Sequence, residues 1–354
     1  DRKHITQACY NYFRLGKSLD HLSKRDQMIA SLFLCASQPG PMLAYLAPSW
    51  NNHLQTGLSA AQKLEVIRQH YPDFKEEAIF PFTTSLSNQI ERLPFSLSHL
   101  QQPDLFVRVR PGKYQLVSKK IQEAGIHFVE CGKDCLAFAN GTRIDQLLQA
   151  DQDIVVQDLN SQRVGEFLQM IPQKENTETL TLWDCCAGSG GKSLLAQDMM
   201  SNLKITVSDK RKNVLENLRE RFSRAGIRHF ELKAINLEQE VKLSELGKFD
   251  IIIADVPCTG SGTWGRTPEY LRYFNESELP VYTKRQQAIV RHASPFLRRG
   301  GYFLYITCSV FKDENEEMLS YIQRQCGLQL LNQSCLTGYD HRADTLFAAL
   351  FIAS

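Results

Sequence analysis

Over the first hundred positions, apolar residues return every three or four places, as in Ile29, Leu32, Phe33 and Ala36, and prolines stand at 39, 41, 48, 72, 81 and 94. A period near 3.6 predicts helix and proline interrupts it, so residues 1–100 are expected to form a bundle of short helices. The texture changes at Pro103: LFVRVR alternates as a strand does, KYQLVSKKIQEAGI has an amphipathic helical period, and CLAFA and DIVVQD read as further short strands. A small α+β module is expected over 103–170. From Thr179 onward strand and helix patterns succeed each other: TLTLWDCC then KSLLAQDMM, KITVSD then KRKNVLENLRERFSRAG, HFELKAI, FDIIIADV, a helix from Thr283 to Leu297, GYFLYITC, and a helix from Asp313 to Gln325. Short apolar runs separated by helices are what strands buried on both faces of a parallel sheet require. The fold expected for 171–354 is therefore α/β, an open, mostly parallel, doubly wound sheet. LQLLNQ and TLFAALFIA then follow with no helix between them, which predicts an antiparallel C-terminal hairpin at one edge.

Composition narrows the function classes. With 354 residues, 43% of them hydrophobic and 23% charged, the chain resembles an ordinary globular protein, and it holds no apolar run of about 18 residues that would span a bilayer. The opening DRKHITQACYNYFRLGK lacks the apolar stretch and small-residue cleavage signal of a secretory leader, so the expected location is the cytoplasm. Ten cysteines are scattered through a long chain, Cys185 and Cys186 adjacent, with no CxxC pair and no histidine at zinc-ligand spacing to another. Reduced thiols and no metal site are expected. A net charge of +2 means that any nucleic-acid surface must be local.

The segment WDCCAGSGGKS lies between a strand and a helix, where glycines let a ligand approach the backbone. Cys186 stands where a P-loop would need its first glycine before Lys192, which disfavours ATP hydrolysis. The next strand ends at Asp209, about twenty residues on, where a carboxylate is placed to accept both ribose hydroxyls or to cap the following helix. An adenosine-bearing ligand without a phosphate suits this pair. Further along, DIIIADVPCTGSGTWGRTPE sets Asp255 and Cys258 at one strand end, and GYFLYITCSVFKDENEE sets Cys308 at the end of the strand expected beside it. Two thiols at neighbouring carboxyl-terminal strand ends are placed to face one pocket.

These residues together resemble the Fmu/Sun family of RNA cytosine-5 methyltransferases. The resemblance covers about residues 103–354 and rests on Asp184 with CCAGSGGK, Asp209, the DVPCTGSGTWGRTPE run, Gln286, Arg299-Gly300-Gly301, YITCS, Glu314-Asn315-Glu316 and the approach VVQDLNSQ from Val155 to Gln162. It implies a class I, Rossmann-like S-adenosylmethionine-dependent methyltransferase domain behind a small RNA-binding module, with the helical 1–100 unit resembling a reduced NusB-like domain. It further implies that the cofactor lies along Cys186, Ala187, Gly188, Ser189, Gly190, Gly191 and Lys192, with Asp209, Arg211, Asn236 and Asp255. The family has Ala-Pro where Gly188-Ser189 stand here, and an acidic residue near Asn236, so cofactor affinity is where the chain departs.

The implied chemistry explains the residue types. Carbon-5 of cytosine is too poor a nucleophile to attack a methylsulfonium until a thiolate has added at carbon-6. By resemblance Cys308 is that nucleophile, Asp255 binds the base edge around N3, and Cys258 assists release. Lys192 is the candidate for the positive charge that favours a thiolate. DNA cytosine-5 enzymes use the cysteine of a Pro-Cys dipeptide, so the Thr-Cys-Ser site favours RNA. For the RNA, Arg108, Arg110 and Lys113 lie in a stretch from Val107 to Lys120 without an acidic residue, and Arg266 with Trp264 follows the Cys258 loop as candidates for lining the base pocket. The expected partner is ribosomal RNA before transfer RNA, with no obligate protein partner. A DNA-modifying enzyme and a non-catalytic RNA-binding assembly factor are the alternatives.

Overall fold

A computed structural model describes residues 2–82, 85–172, 179–200, 202–239 and 246–354. Its contacts divide the chain into two compact units, one of Asp1–Pro103, Thr263–Glu276 and Tyr339–Arg342, the other of Asp104–Gly262, Ser277–Gly338 and Ala343–Ser354.

The first unit holds α1 (Arg2–Arg14), α2 (Lys24–Cys35), α3 (Pro41–Leu46), α4 (Pro48–Gln55), α5 (Ala60–His70), α6 (Arg92–Ser98) and, from later in the chain, α12 (Tyr270–Tyr273). Pro41 and Pro48 open α3 and α4, where a missing N–H costs nothing because the first turn has no acceptor for it. Pro94 does not break a helix as the pattern suggested, for it lies in the first turn of α6. The apolar stripe of Ile29, Ala30, Phe33 and Leu34 packs with Leu43, Trp50, Leu54, Leu64 and Ile67. Arg14 is 1% exposed and is kept there by carbonyls, donating to His99 O and Gly265 O at 2.8 Å each.

The second unit begins with a four-stranded antiparallel sheet of β1 (Leu105–Val109), β2 (Val129–Glu130), β3 (Cys135–Phe138) and β4 (Ile154–Val156), ordered β2-β3-β1-β4. One face is covered by α7 (Tyr114–Glu123), whose Val117 and Ile121 meet Val107, Val109, Leu136 and Ile154. The short helices α8 (Leu159–Arg163) and α9 (Gly165–Gln169) lead on to a seven-stranded sheet. Its strands are β5 (Leu180–Asp184), β6 (Leu203–Asp209), β7 (Phe230–Ala234), β8 (Phe249–Asp255), β9 (Leu297–Thr307), β10 (Leu328–Leu336) and β11 (Leu346–Ala353), in the order β10-β11-β9-β8-β5-β6-β7. Pairings from β9 through β7 are parallel, and β11 is antiparallel to both β9 and β10. The helices α10 (Gly191–Met199), α11 (Lys212–Arg224), α13 (Leu279–Ala293) and α14 (Glu316–Cys326) connect them. This is the doubly wound sheet with a C-terminal hairpin that the apolar pattern predicts.

The strand order reverses at β5, so the crevice beyond its carboxyl end is where a doubly wound sheet binds ligands. Among the described residues, no helix is long and apolar enough to cross a membrane. The sequence pattern drew a boundary at 170/171. In the structure the 104–170 stretch and the large sheet fall in the same unit, joined by buried ion pairs, whereas residues 263–276 fall with the N-terminal helices.

Candidate active site

The continuous apolar runs of β8 and β9 bury them side by side in parallel, with Asp255 opposite Ile306. The chain therefore leaves both strands at the same edge, and Cys258 and Cys308 follow within a few residues. Their sulfurs lie 3.3 Å apart. Gly262 N donates to Cys308 O at 2.9 Å and Thr345 N donates to Gly262 O at 2.9 Å, tying the Cys258 loop to the end of β9 and the start of β11. Only glycine fits at 262, since a Cβ there would stand 1.9 Å from the Thr345 carbonyl oxygen. Contact with the Cys308 sulfur, burial, and the nearby Glu314 push the Cys258 thiol well above its ordinary range.

Lys192, in the first turn of α10, is nearly buried. Its Nζ lies 3.0 Å from Asp255 Oδ2 and 2.8 Å from Ser161 Oγ. The positive charge that the sequence offered to Cys308 is thus spent on Asp255, whose side chain is 32% exposed and so open to a ligand. Ser161, supplied by α8, was not legible as a site residue because only folding brings it to the lysine.

At the end of β5, Asp184 is fully buried and accepts from Ser193 Oγ at 2.6 Å. Burial pushes its carboxyl up to about 7, against the pull of that hydrogen bond. The turn that follows is fastened by Cys185 N to Ile253 O and Ala187 N to Ser208 O, both 2.9 Å, which places it between β8 and β6. Gly188 and Gly190 have φ of +52° and +83°. A Cβ on Gly190 would meet Phe222 at 2.7 Å, so that glycine serves packing. At Gly188 and Gly191 nothing lies nearer than 3.9 Å, so the turn is open there to a ligand. Ser189 is held by Arg221, whose Nη1 reaches its Oγ at 3.2 Å. The half-buried Cys186 has its thiol pushed up by contact with Cys185 and by burial.

Asp209 ends β6. Its Oδ1 accepts from Arg211 N at 2.9 Å and Arg211 Nε at 3.0 Å, and its Oδ2 from Arg211 Nη2 at 3.0 Å and Gly188 N at 3.1 Å. Burial opposes ionisation, but these donors together hold the carboxyl below its usual value. All four acceptor directions of the carboxylate are in use, a saturation the sequence did not reveal. Asn236, just past β7, accepts from Glu238 N at 3.1 Å through its Oδ1.

The basic stretch behaves differently from its sequence reading. Arg108 and Arg110 both pair with Asp198 at the end of α10, Arg110 Nη2 at 2.9 Å, and the side chains of Arg108 and Asp198 are 8% and 4% exposed. Arg108 is thus an internal strut between β1 of the small sheet and α10, and is closed to a phosphate. Lys113 is half-exposed and lines a groove of about 690 Å³ with Arg110, Arg224, Arg228 and His229. Trp264 does not line a base pocket: it is 1% exposed, stacks on Tyr270 and packs with Phe80, Phe82 and Phe274 inside the first unit. Arg266 lies in the same segment and is half-buried, its N donating to Thr263 O at 2.8 Å.

Residues 167–338 match a family model described as 16S rRNA methyltransferase RsmB/F. The chain is similar to ribosomal RNA small subunit methyltransferase B of Xanthomonas campestris, 27% identical over 227 residues that make up 63% of this chain and 50% of that protein. It is also similar to tRNA (cytosine(72)-C(5))-methyltransferase of Pyrococcus horikoshii, 31% identical over 166 residues, 46% of this chain and 41% of that protein. The matches thus span half or less of these relatives. In structure, a methyltransferase homologue from Pyrococcus horikoshii aligns with a TM-score of 0.62 at 19% identity, over 85% of this chain and 97% of that one, a likeness of fold.

Proposed function

We propose, because residues 167–338 match a family model described as 16S rRNA methyltransferase RsmB/F, that the chain methylates carbon-5 of a cytosine in structured RNA. The observation that carries this reading is the pair of sulfurs, Cys258 and Cys308, 3.3 Å apart at adjacent strand ends, with Asp255 three residues before Cys258 and paired to Lys192. Ribosomal RNA is the favoured substrate, and transfer RNA is the alternative that the similarity to the Pyrococcus enzyme supports. The cytoplasm is the location that goes with either.

The open faces of Gly188 and Gly191, the Asp209 carboxylate and Asp255 fit a nucleoside joined to a charged tail, as in S-adenosylmethionine. That cofactor, when bound, supplies an electrophilic methyl group. The chain's own residues do the rest. Cys308 gives up its thiol proton to solvent and its sulfur adds to carbon-6, while Cys258, whose thiol is pushed well above its ordinary range, keeps its own proton. Electrons pushed into the ring build negative charge around N3, where Asp255, sharing the Lys192 proton, hydrogen-bonds the base edge. After transfer, the carbon-5 proton passes to water, its bonding electrons restore the ring double bond, and the Cys308 sulfur is expelled as a thiolate. Cys258, in contact with that sulfur, is the group placed to assist.

The RNA would approach with a base flipped from a loop or helix. Its backbone fits the groove carrying Lys113, Arg224 and Arg228; Arg266 is a further candidate for RNA contact.

The test is transfer of labelled methyl from S-adenosylmethionine to unmodified ribosomal and transfer RNA, with nucleoside analysis. Label is expected in 5-methylcytosine and absent with Cys308→Ala. Cys258→Ala is expected to leave a protein–RNA adduct that survives denaturation. Absence of label from both RNA pools with a folded protein would reject the reading in favour of a non-catalytic RNA-binding factor.

A further inference from the structure

Glu314 is 0% exposed and sits on the tight turn Lys312–Glu314 before α14. Its Oε1 accepts from Thr259 N at 3.0 Å and from Gln286 Nε2 at 2.8 Å. Its Oε2 accepts from Thr259 Oγ1 at 2.6 Å and from Ser309 Oγ. Four donors saturate one carboxylate and work against the burial that pushes its carboxyl up. Two of those contacts come from Thr259, the residue after Cys258, and one from Ser309, the residue after Cys308. The fourth comes from Gln286 of α13, which also donates to Pro257 O at 3.1 Å, the residue before Cys258. Tyr305, near the end of β9, donates to the Glu314 carbonyl at 2.8 Å. One carboxylate therefore fastens two loops 50 residues apart in sequence, each immediately beside a sulfur.

We infer that Glu314 is a positioning residue that holds the Cys258 and Cys308 loops at the spacing the two-thiol step requires. This rests on the methyl-transfer reading, and it adds a role that contact with substrate does not supply. The physical reason is leverage: reacting groups displaced by about 1 Å lose on the order of 100-fold in rate, and neither cysteine loop is a helix or strand that would hold itself. The charge has a second effect in the same direction, since Glu314 is among the causes that keep Cys258 protonated.

The experiment uses the full chain and reads the spacing without substrate. Diamide accepts two electrons and two protons from a pair of thiols and leaves a disulfide. Closure of Cys258 to Cys308 is followed by peptide mass analysis, and its rate is divided by that of iodoacetamide alkylation of the same thiols, which reports their ionisation and access to reagent without their spacing. Glu314→Ala is expected to slow this normalised closure by about tenfold or more and to lower kcat comparably, with KM for RNA within about twofold. Glu314→Gln is expected to recover much of both, because its carbonyl serves Thr259 N and Gln286 while the hydroxyls of Thr259 and Ser309 turn to accept from its amide. Should Glu314→Ala fail to fold, Thr259→Val removes one donor and is expected to act in the same direction more weakly. Wild-type closure rates in a folded Glu314→Ala or Thr259→Val, or a wild-type chain that forms no Cys258–Cys308 disulfide, would overturn the inference. A wild-type chain that closes the disulfide but methylates no RNA would refute the methyl-transfer reading, and the closure rates would still decide whether Glu314 sets the spacing.

Discussion

The saturation of Asp209 leads to a prediction of unusual sign. A nucleoside whose ribose hydroxyls bind Asp209 needs two acceptor directions, and all four are taken, two of them by the Arg211 guanidinium at 3.0 Å. The two backbone N–H donors are fixed by the turn, so the guanidinium is what must move. Arg211 is 56% exposed on its side chain, against 7% for Asp209, so the pair is screened and its worth is that of a surface pair, about 0.2–1 kcal/mol. Replacing Arg211 by Ala removes this displacement cost. S-adenosylhomocysteine is then expected to bind more tightly, by up to about fivefold. Asp209→Asn should act oppositely: losing a charge-assisted acceptor of about 1.5–3 kcal/mol weakens binding by about 10- to 100-fold. Titration calorimetry of the two variants measures both. Weaker binding to Arg211→Ala would refute the reasoning and make the guanidinium a direct contact of the ligand.

Two other expectations concern stability. Asp184 has its carboxyl raised to about 7 from 3.8 by burial, so the folded state holds the proton more tightly than the unfolded chain does. The stabilisation is fully present below pH 3.8 and is lost as pH rises through about 7, on the order of 4 kcal/mol at most. Asp184→Asn should therefore lose the part of the decline in urea midpoint between pH 5 and pH 8 that wild type shows, and parallel curves for the two proteins would contradict this origin. Asp198→Ala leaves Arg108 buried without its counter-charge and should cost about 3–5 kcal/mol in urea unfolding. Loss of the exposed Lys119–Glu123 pair should cost about 0.5 kcal/mol or less, and equal effects would mean that the Arg108 site admits water.

What the sequence conveyed well was whatever depends on local period. The runs DIIIADV and GYFLYITC announced buried parallel strands, and their ends placed Asp255, Cys258 and Cys308 along one edge. What it conveyed poorly was what each polar group meets. The alternation of β1 put Arg108 and Arg110 on chosen faces, but their shared partner Asp198 is 90 and 88 residues away, and no local pattern distinguishes a guanidinium bound for a carboxylate from one bound for a phosphate. Trp264 was misread for a related reason. Its neighbours in sequence belong to the cysteine loop, but its ring packs on Phe80 and Phe82, some 180 residues earlier. Val129–Glu130 is only two residues long with both exposed, too short for an alternation to mark it as a strand.

The position of β11 has a consequence for how the protein is made. Leu346–Ala353 follows β9 and β10 in chain order, but it lies between them, hydrogen-bonded on one side to β9 and on the other to β10. During synthesis, β9 and everything before it emerge with an apolar edge bare, and β10 has no neighbour to join until residues near 350 have left the ribosome. Closure of the sheet beside both cysteines must wait for β11 to be inserted between β9 and β10. The sheet is thus completed only after β11 is translated, and a chain interrupted before residue 346 would present an open sheet edge to other chains.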